Sequence, residues 1–338
     1  MRNLQELLDT LPFNDLPPAW TTFDLATFSR GKTLWDYQQA ALTNALKTLY
    51  RYYTEPRDYR SNETEADVAL RKQALYRWYT RYNLTGPALD LSLKRVRRDI
   101  ETLLTDYYPI SLPERGRLTG GIAYEHFINR MGFWMATGSG KTLVLVKLLE
   151  MLWHLRGRGV IPPHNVMVLT HRDDLLDQLR VHVDEYNTMP ASGGLDRPRI
   201  RLHDLRAYPD VMRAPPSLFR DQELPVFIYR SDNLSDEQKE KIVDYRNYEN
   251  AGRWYILLDE AHKGDREDSK RQHIYSILAR NGFLFNFSAT FTDPRDVLTT
   301  ACDFNLARFI ANGYGKHITI LKQENRAFRE RDDYTHIE

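Results

Sequence analysis

The sequence predicts an α/β fold: a parallel sheet covered by helices on both faces, with an inserted helical module. Three observations point there. Short apolar runs at 132–136, 166–170, 226–229, 254–258 and 284–287 lack polar alternation, as strands buried on both faces do. Helical stretches at 142–155 and 174–186 lie between some of them, giving the strand–helix repetition of a parallel sheet. Between Tyr50 and Arg130 the chain turns rich in Tyr, Trp and Arg and shows no strand-like run.

Taken in order, residues 1–42 form an N-terminal segment. "DLPPAWTT" is a proline-containing turn, and a helix starts near Asp36, with Leu42, Leu46 and Leu49 at helical spacing. Residues 43–130 are the inserted module. "EADVALRKQALYRWYTRYN" and "LDLSLKRVRRDIETLLTDYY" both read as helical, parted by the breaker "TGP". Residues 131–315 carry the strand–helix repetition. Within them, the Arg- and Pro-rich stretch 187–225 reads as an excursion from the sheet. Residues 316–338 follow as a tail.

Composition narrows the class. With 42% hydrophobic and 28% charged residues, the 338-residue chain is globular rather than disordered. A formal charge of +1 neither selects nor excludes a polyanionic partner. The single cysteine, Cys302, rules out an internal disulfide and fits a reducing compartment. The N-terminus shows no apolar signal core, and no apolar run is long enough to span a membrane. A cytoplasmic protein without a membrane partner is the expectation. One cysteine cannot build a structural zinc site, and the ten histidines show no metal-ligand spacing.

Two segments carry chemistry. In "GFWMATGSGKTLVLVKLLEML" an apolar strand delivers the chain into Thr137, Gly138, Ser139 and Gly140, and Lys141 and Thr142 open a helix. Glycines let such a loop wrap with its N–H groups inward, and the helix N-terminus adds free N–H groups and a positive dipole end. Lys141 can then reach the β- and γ-phosphates of ATP, and the Thr142 hydroxyl can ligate Mg²⁺. The usual pattern has a glycine at position 135, where this chain has Met135. In "RWYILLDEAHKG" an apolar strand runs into Asp259 and Glu260. Hydrolysis of a nucleotide needs one carboxylate on Mg²⁺ and a second to activate water. Asp259 suits the first role and Glu260 the second.

Together, "ATGSGKT", "DEAH" and "NFSAT" resemble the first RecA-like domain of superfamily 2 DEAD/DEAH-like helicases and translocases, most closely the helicase (Res) subunit of type III restriction enzymes. The resemblance implies a RecA-like P-loop NTPase domain and an ATPase using ATP and Mg²⁺. "LWDYQQAAL" is similar to the family's adenine-reading segment, making Gln38 the adenine contact. His262 would relay between the ATP site and the Ser288/Thr290 pair, which couples ATP state to strand binding. "VMVLTHRDDLLDQL" and "IYRSDNL" match strand-contacting segments and bring in Arg172, Gln178 and Arg230. The wide gap between Gln38 and Gly138 implies the inserted module. The short run after Thr290 implies a piece of a longer protein, weakly active as an ATPase on its own, with 316–338 a linker toward a second RecA-like domain. DNA is the implied nucleic acid, in a restriction or phage-defence system with methyltransferase or specificity subunits.

Other features leave alternatives open. In the insert, basic residues such as Arg71, Lys72, Arg77 and Arg81 interleave with Tyr76, Trp78, Tyr79 and Tyr82. This suits either helix packing or contact with a nucleic acid or a subunit. Arg197, Arg199 and Arg201 suit either a solvated loop or a DNA-tracking one. Glu237 and Lys239 mimic half of a nuclease motif, a coincidence in a polar run. Against the motor reading stands a nucleotide-dependent switch or assembly module that controls a partner without translocation.

Overall fold

The computed structural model describes residues 3–110, 120–189, 197–213, 222–236, 239, 242–260 and 269–314. Seven parallel strands form its main sheet: β1 (Arg130–Met135), β2 (Asn165–Thr170), β3 (Arg199–Asp204), β4 (Glu223–Arg230), β5 (Trp254–Asp259), β6 (Phe283–Ser288) and β7 (Thr300–Phe304). Their order is β7-β1-β6-β5-β2-β4-β3. This is the RecA-like α/β architecture. The inner strands β5 and β6 are buried along their whole length, so both faces must be covered.

The helices doing so are α1 (Leu4–Leu8), α2 (Asp36–Thr54), α3 (Glu65–Arg81), α4 (Arg98–Thr105), α5 (Lys141–Gly157), α6 (Asp173–Asn187) and α7 (Lys270–Leu278), with shorter turns between. α5 is apolar nearly all round, as a helix enclosed on every side must be. Two of its buried polar residues, Lys147 and Glu150, pair with each other. Lys147 Nζ meets Glu150 at 2.9 Å and donates to the Thr27 carbonyl at 2.9 Å, which ties the N-terminal segment across the helix. Phe133 of β1 stacks on Phe287 of β6 with centroids 4.3 Å apart. Burial of each such ring contributes about 1.5–3 kcal/mol.

The five strands read from apolar runs are present, extended by a residue or more. Two strands lie outside those runs. β3 occupies the stretch expected to leave the sheet; it pairs with β4 as the edge strand, with Arg199 and Arg201 pointing to solvent. An edge strand has one exposed face, so its "RIRLHD" alternation looks like loop polarity. β7 forms the opposite edge beside β1. The second helical run of the insert is also corrected: only Arg98–Thr105 is α-helical, and Leu91–Ser92 pairs antiparallel with Gly121–Ile122.

The expected boundary at residue 42 falls inside the continuous helix α2, and the insert shares one hydrophobic core with the sheet. Trp78 and Tyr79 are buried, and Arg71 is enclosed by Glu63 and the Tyr52 and Arg57 carbonyls, so these side chains pack rather than face a ligand. Arg77, Arg81 and Tyr82 remain exposed. Among the described residues, no helix is long and apolar enough to cross a membrane. Residues 315–338 lie outside the described residues.

Candidate functional site

All seven strands run the same way, so their C-terminal ends share one rim, where ligands of open α/β sheets bind. β6 lies between β1 and β5. The C-terminal ends of these three strands therefore sit side by side, although they are far apart in sequence.

The loop after β1 is built on two glycines. Gly138 (φ +80°) and Gly140 (φ +76°) take the left-handed conformation that other residues adopt only with strain. A Cβ at Gly140 would also collide with the Gln38 amide nitrogen. Ser139 is buried and braces the loop from within, its hydroxyl donating to the Ala136 carbonyl at 2.7 Å. Its own N–H also donates to Ala136 at 3.1 Å, so it is not among the N–H groups pointing at an anion. α5 starts at Lys141, where first-turn N–H groups have no intrahelical acceptor. Lys141 Nζ folds back to the Met135 and Ala136 carbonyls, 3.4 Å from each. Both contacts are long, so the ammonium is lightly held. Thr137 is exposed and Thr142 half-buried in the first turn of α5.

The Ser139 carbonyl accepts from both Gln38 Nε2 (2.9 Å) and the Tyr37 hydroxyl (2.8 Å). Gln38 Oε1 in turn accepts from the Trp35 N–H at 2.9 Å. The structure thus gives Gln38 a bracing role between the start of α2 and the glycine loop. An adenine contact there would use the amide's second N–H and second lone pair. Beside it lies an aromatic shelf that sequence reasoning missed. Trp35, 50% exposed, leans on Tyr314, 39% exposed, with centroids 4.5 Å apart, while Tyr37 stacks on Phe304 at 4.0 Å. The aromatic residues flanking Gln38 in "LWDYQQ" were the available signal.

Asp259 ends β5 and is buried, with its Oδ1 accepting the Glu260 N–H at 3.1 Å. Desolvation pushes its carboxyl up to about 6, with Lys141 pulling down and Glu260 adding to the rise. Glu260 has φ +62°, a non-glycine residue held in the left-handed region. Such a conformation costs on the order of 1–3 kcal/mol and collects at functional sites.

The raised Asp259 pKa has a signed consequence. The folded chain favours the protonated acid, so this group's contribution to stability falls as pH rises from 3.8 to about 6. A divalent cation needs the carboxylate and must displace that proton below about pH 6. Mg²⁺-dependent nucleotide affinity is therefore expected to drop by up to ~10-fold per pH unit below that point, one proton being displaced. Titrations from pH 5 to 7.5 check this against Asp259→Asn, which carries the nucleotide's own phosphate titration. Equal pH profiles in the two would refute it.

Ser288 ends β6, level with Trp134 of β1. Its hydroxyl closes a tight turn with Thr290: the Thr290 N–H donates to Ser288 Oγ at 3.0 Å, and the hydroxyl donates to the Thr290 carbonyl. Trp134 Nε1 donates to the Ala289 carbonyl at 2.9 Å. The strand that leads into the glycine loop thereby holds the Ser-Ala-Thr turn, a link with no sequence motif to announce it. Below, Asp296 accepts from Asn286 at 2.8 Å and pairs with Arg130 at 3.4 Å. His262 and Glu237 lie outside the described residues.

The nucleic-acid candidates divide by position. Arg172 and Arg230 stand at the rim, after β2 and at the end of β4. Arg172 pairs with Asp174, and Arg230 with Asp173 (2.8 Å) and Asp232 (2.5 Å). Asp174 foremost, and Glu260 more weakly, help hold the Arg172 guanidinium charged. Gln178 is exposed on α6. Arg199 and Arg201 are exposed on the edge strand β3, where Arg201 pairs with Glu223 at 2.8 Å. Arg197 is a correction. Its guanidinium lies 4.2 Å over the Tyr186 ring, donates to the Phe28 carbonyl at 2.8 Å and faces Glu150 at 3.7 Å. It closes the core around α5 and is not available to a phosphate backbone.

The family described as type III restriction enzyme, res subunit, matches this chain over residues 32–293. No curated protein matches it.

Proposed function

Given that the chain belongs to the type III restriction enzyme res-subunit family, with its helicase-like ATP-binding motor domain, we propose that it hydrolyses ATP and uses the cycle to move on DNA. One observation carries the reading most: β6 lies between β1 and β5, which gathers Lys141, the Ser288–Thr290 turn and the Asp259–Glu260 pair on one rim. In this reading residues 131–315 are the ATPase unit and 43–130 its insert.

The residues present suit a nucleotide with its metal: a left-handed glycine at Gly140 that admits no Cβ, a lightly held ammonium and a buried carboxyl beside it. Lys141 and the first turn of α5 would hold the terminal phosphates. Mg²⁺ on Thr142 and Asp259 would neutralise phosphate charge. Glu260 would orient the attacking water and take its proton. The base would lie on the Trp35–Tyr314 shelf beside Gln38. Through Trp134 and the turn at Ala289, a shift of the glycine loop would reach Ser288 and Thr290, and His262 would join the relay. The restriction or phage-defence setting, methyltransferase or specificity subunits and a second RecA-like domain are the partners proposed.

The test is ATP turnover with and without duplex and single-stranded DNA. A motor is expected to be stimulated by one of them. DNA that binds without altering turnover would sink the motor reading and favour a nucleotide switch. The contact itself is expected to be partly electrostatic. Replacing Arg172 and Arg230 together with Gln should flatten the slope of log K against log[salt] by up to ~2 units. The same pair of changes at Arg199 and Arg201 tests the β3 edge, and an unchanged slope in both sets would remove these residues from the interface.

A further inference from the structure

We propose that the cavity bounded by Lys72, Tyr107, Tyr108 and Arg280 is a binding site for a small oxyanion, a phosphate or a carboxylate. It measures about 270 Å³. It lies away from the glycine loop: Arg280 and Asn281 precede β6, the neighbouring His126 precedes β1, and Lys72 comes from α3 in the insert. An occupant would therefore touch both the insert and the sheet.

The argument rests on unmet hydrogen-bonding capacity. Lys72 is 7% exposed, and its ammonium has one protein partner, the His126 carbonyl at 2.9 Å. An ammonium carries three donors, so two are left over. Tyr108 lines the same cavity, but its hydroxyl is closed off in the interior without a hydrogen-bond partner. A buried charge is normally paired, yet the charges acting on Lys72 are the cations Arg280 and Arg130. Each of these already has a carboxylate elsewhere, Glu249 at 2.5 Å and Asp296 at 3.4 Å. Burial and these like charges push the Lys72 amine down to about 7. Two acids also line the cavity, Glu65 and Glu125; Glu65 is exposed and accepts from Asn281 at 3.1 Å, and neither acid pairs with Lys72. An oxyanion would offer acceptors to the spare Lys72 donors. The volume limits it to a small group, below the size of a typical nucleotide pocket.

The experiment follows thermal unfolding against inorganic phosphate, and separately against acetate, at constant ionic strength set with chloride. It is done in the Lys141→Ala background, so that phosphate at the glycine loop does not contribute and the result is independent of the nucleotide reading. A saturable rise in Tm is expected with at least one probe. Phosphate alone assigns a phosphate site; acetate alone assigns a carboxylate site. Adding Lys72→Met should abolish the rise. A second measurement in the unaltered chain reads the site directly: the active probe should protect the Lys72 amine from acylation, mapped by mass spectrometry. No saturable rise with either probe, a rise undiminished by Lys72→Met, or unprotected Lys72 would overturn the proposal and leave a hydrated cavity.

Discussion

Glu260→Gln is expected to bind nucleotide as the unaltered chain does and to hydrolyse it at least ~10²-fold more slowly, the scale of a lost general base. Glutamine keeps the length and planarity of the side chain and gives up only the ability to take a proton. The backbone at 260 is left-handed with either residue, so the substitution adds no new strain there. The bond to the Asp259 carboxylate is donated by the main-chain N–H of residue 260 and survives. Binding and turnover should thus separate in one variant. Asp259→Asn should behave differently, weakening the Mg²⁺ dependence of binding, because it removes the buried carboxylate proposed to hold the metal. Single-turnover hydrolysis by Glu260→Gln at the normal rate would strip Glu260 of its role.

Lys141→Ala is expected to lower nucleotide affinity by ~10²-fold or more, since charge-assisted hydrogen bonds to phosphate are each worth about 1.5–3 kcal/mol. The fold should survive. Lys141 Nζ makes two contacts at 3.4 Å to carbonyls at the end of β1, and alanine is the strongest helix former at the start of α5. Unfolding by heat or urea should shift by no more than about 0.5 kcal/mol, the scale of a surface substitution. Titration of nucleotide into the folded variant is the measurement. Undiminished affinity would mean that the glycine loop does not hold phosphate, whatever its backbone shape.

Most of the sheet was legible because five of its strands are buried on both faces. A strand such as Trp254–Asp259 has to be apolar throughout, and a parallel sheet hides the polar alternation that would confuse it with a surface strand. The β3 edge was not legible for the same reason reversed, whereas β7 is almost wholly buried but short. β3 exposes Arg199 and Arg201, and β7 is a short run with Asp303 in it, so neither differs in composition from a loop. The glycine loop and the acidic pair were readable because the chemistry demands fixed residue types at fixed short spacing. Arg197 was misread because an arginine in a polar stretch looks exposed until Tyr186, Phe28 and Glu150 are brought around it.

By itself the sequence determined the α/β class and the order of the chemical motifs, and it nominated residues for phosphate, metal and water. These are local properties: they depend on neighbours within a few positions and on the rule that buried strands are apolar. Tertiary structure alone decided the rest. It placed β6 between β1 and β5, bound Trp134 to the Ala289 carbonyl, turned Gln38 and Tyr37 onto Ser139, and enclosed Lys72 against the His126 carbonyl. Each of these joins residues tens to more than a hundred positions apart. Which of them meet is set by how the whole sheet and its helices exclude water, and no short window of the chain contains that information.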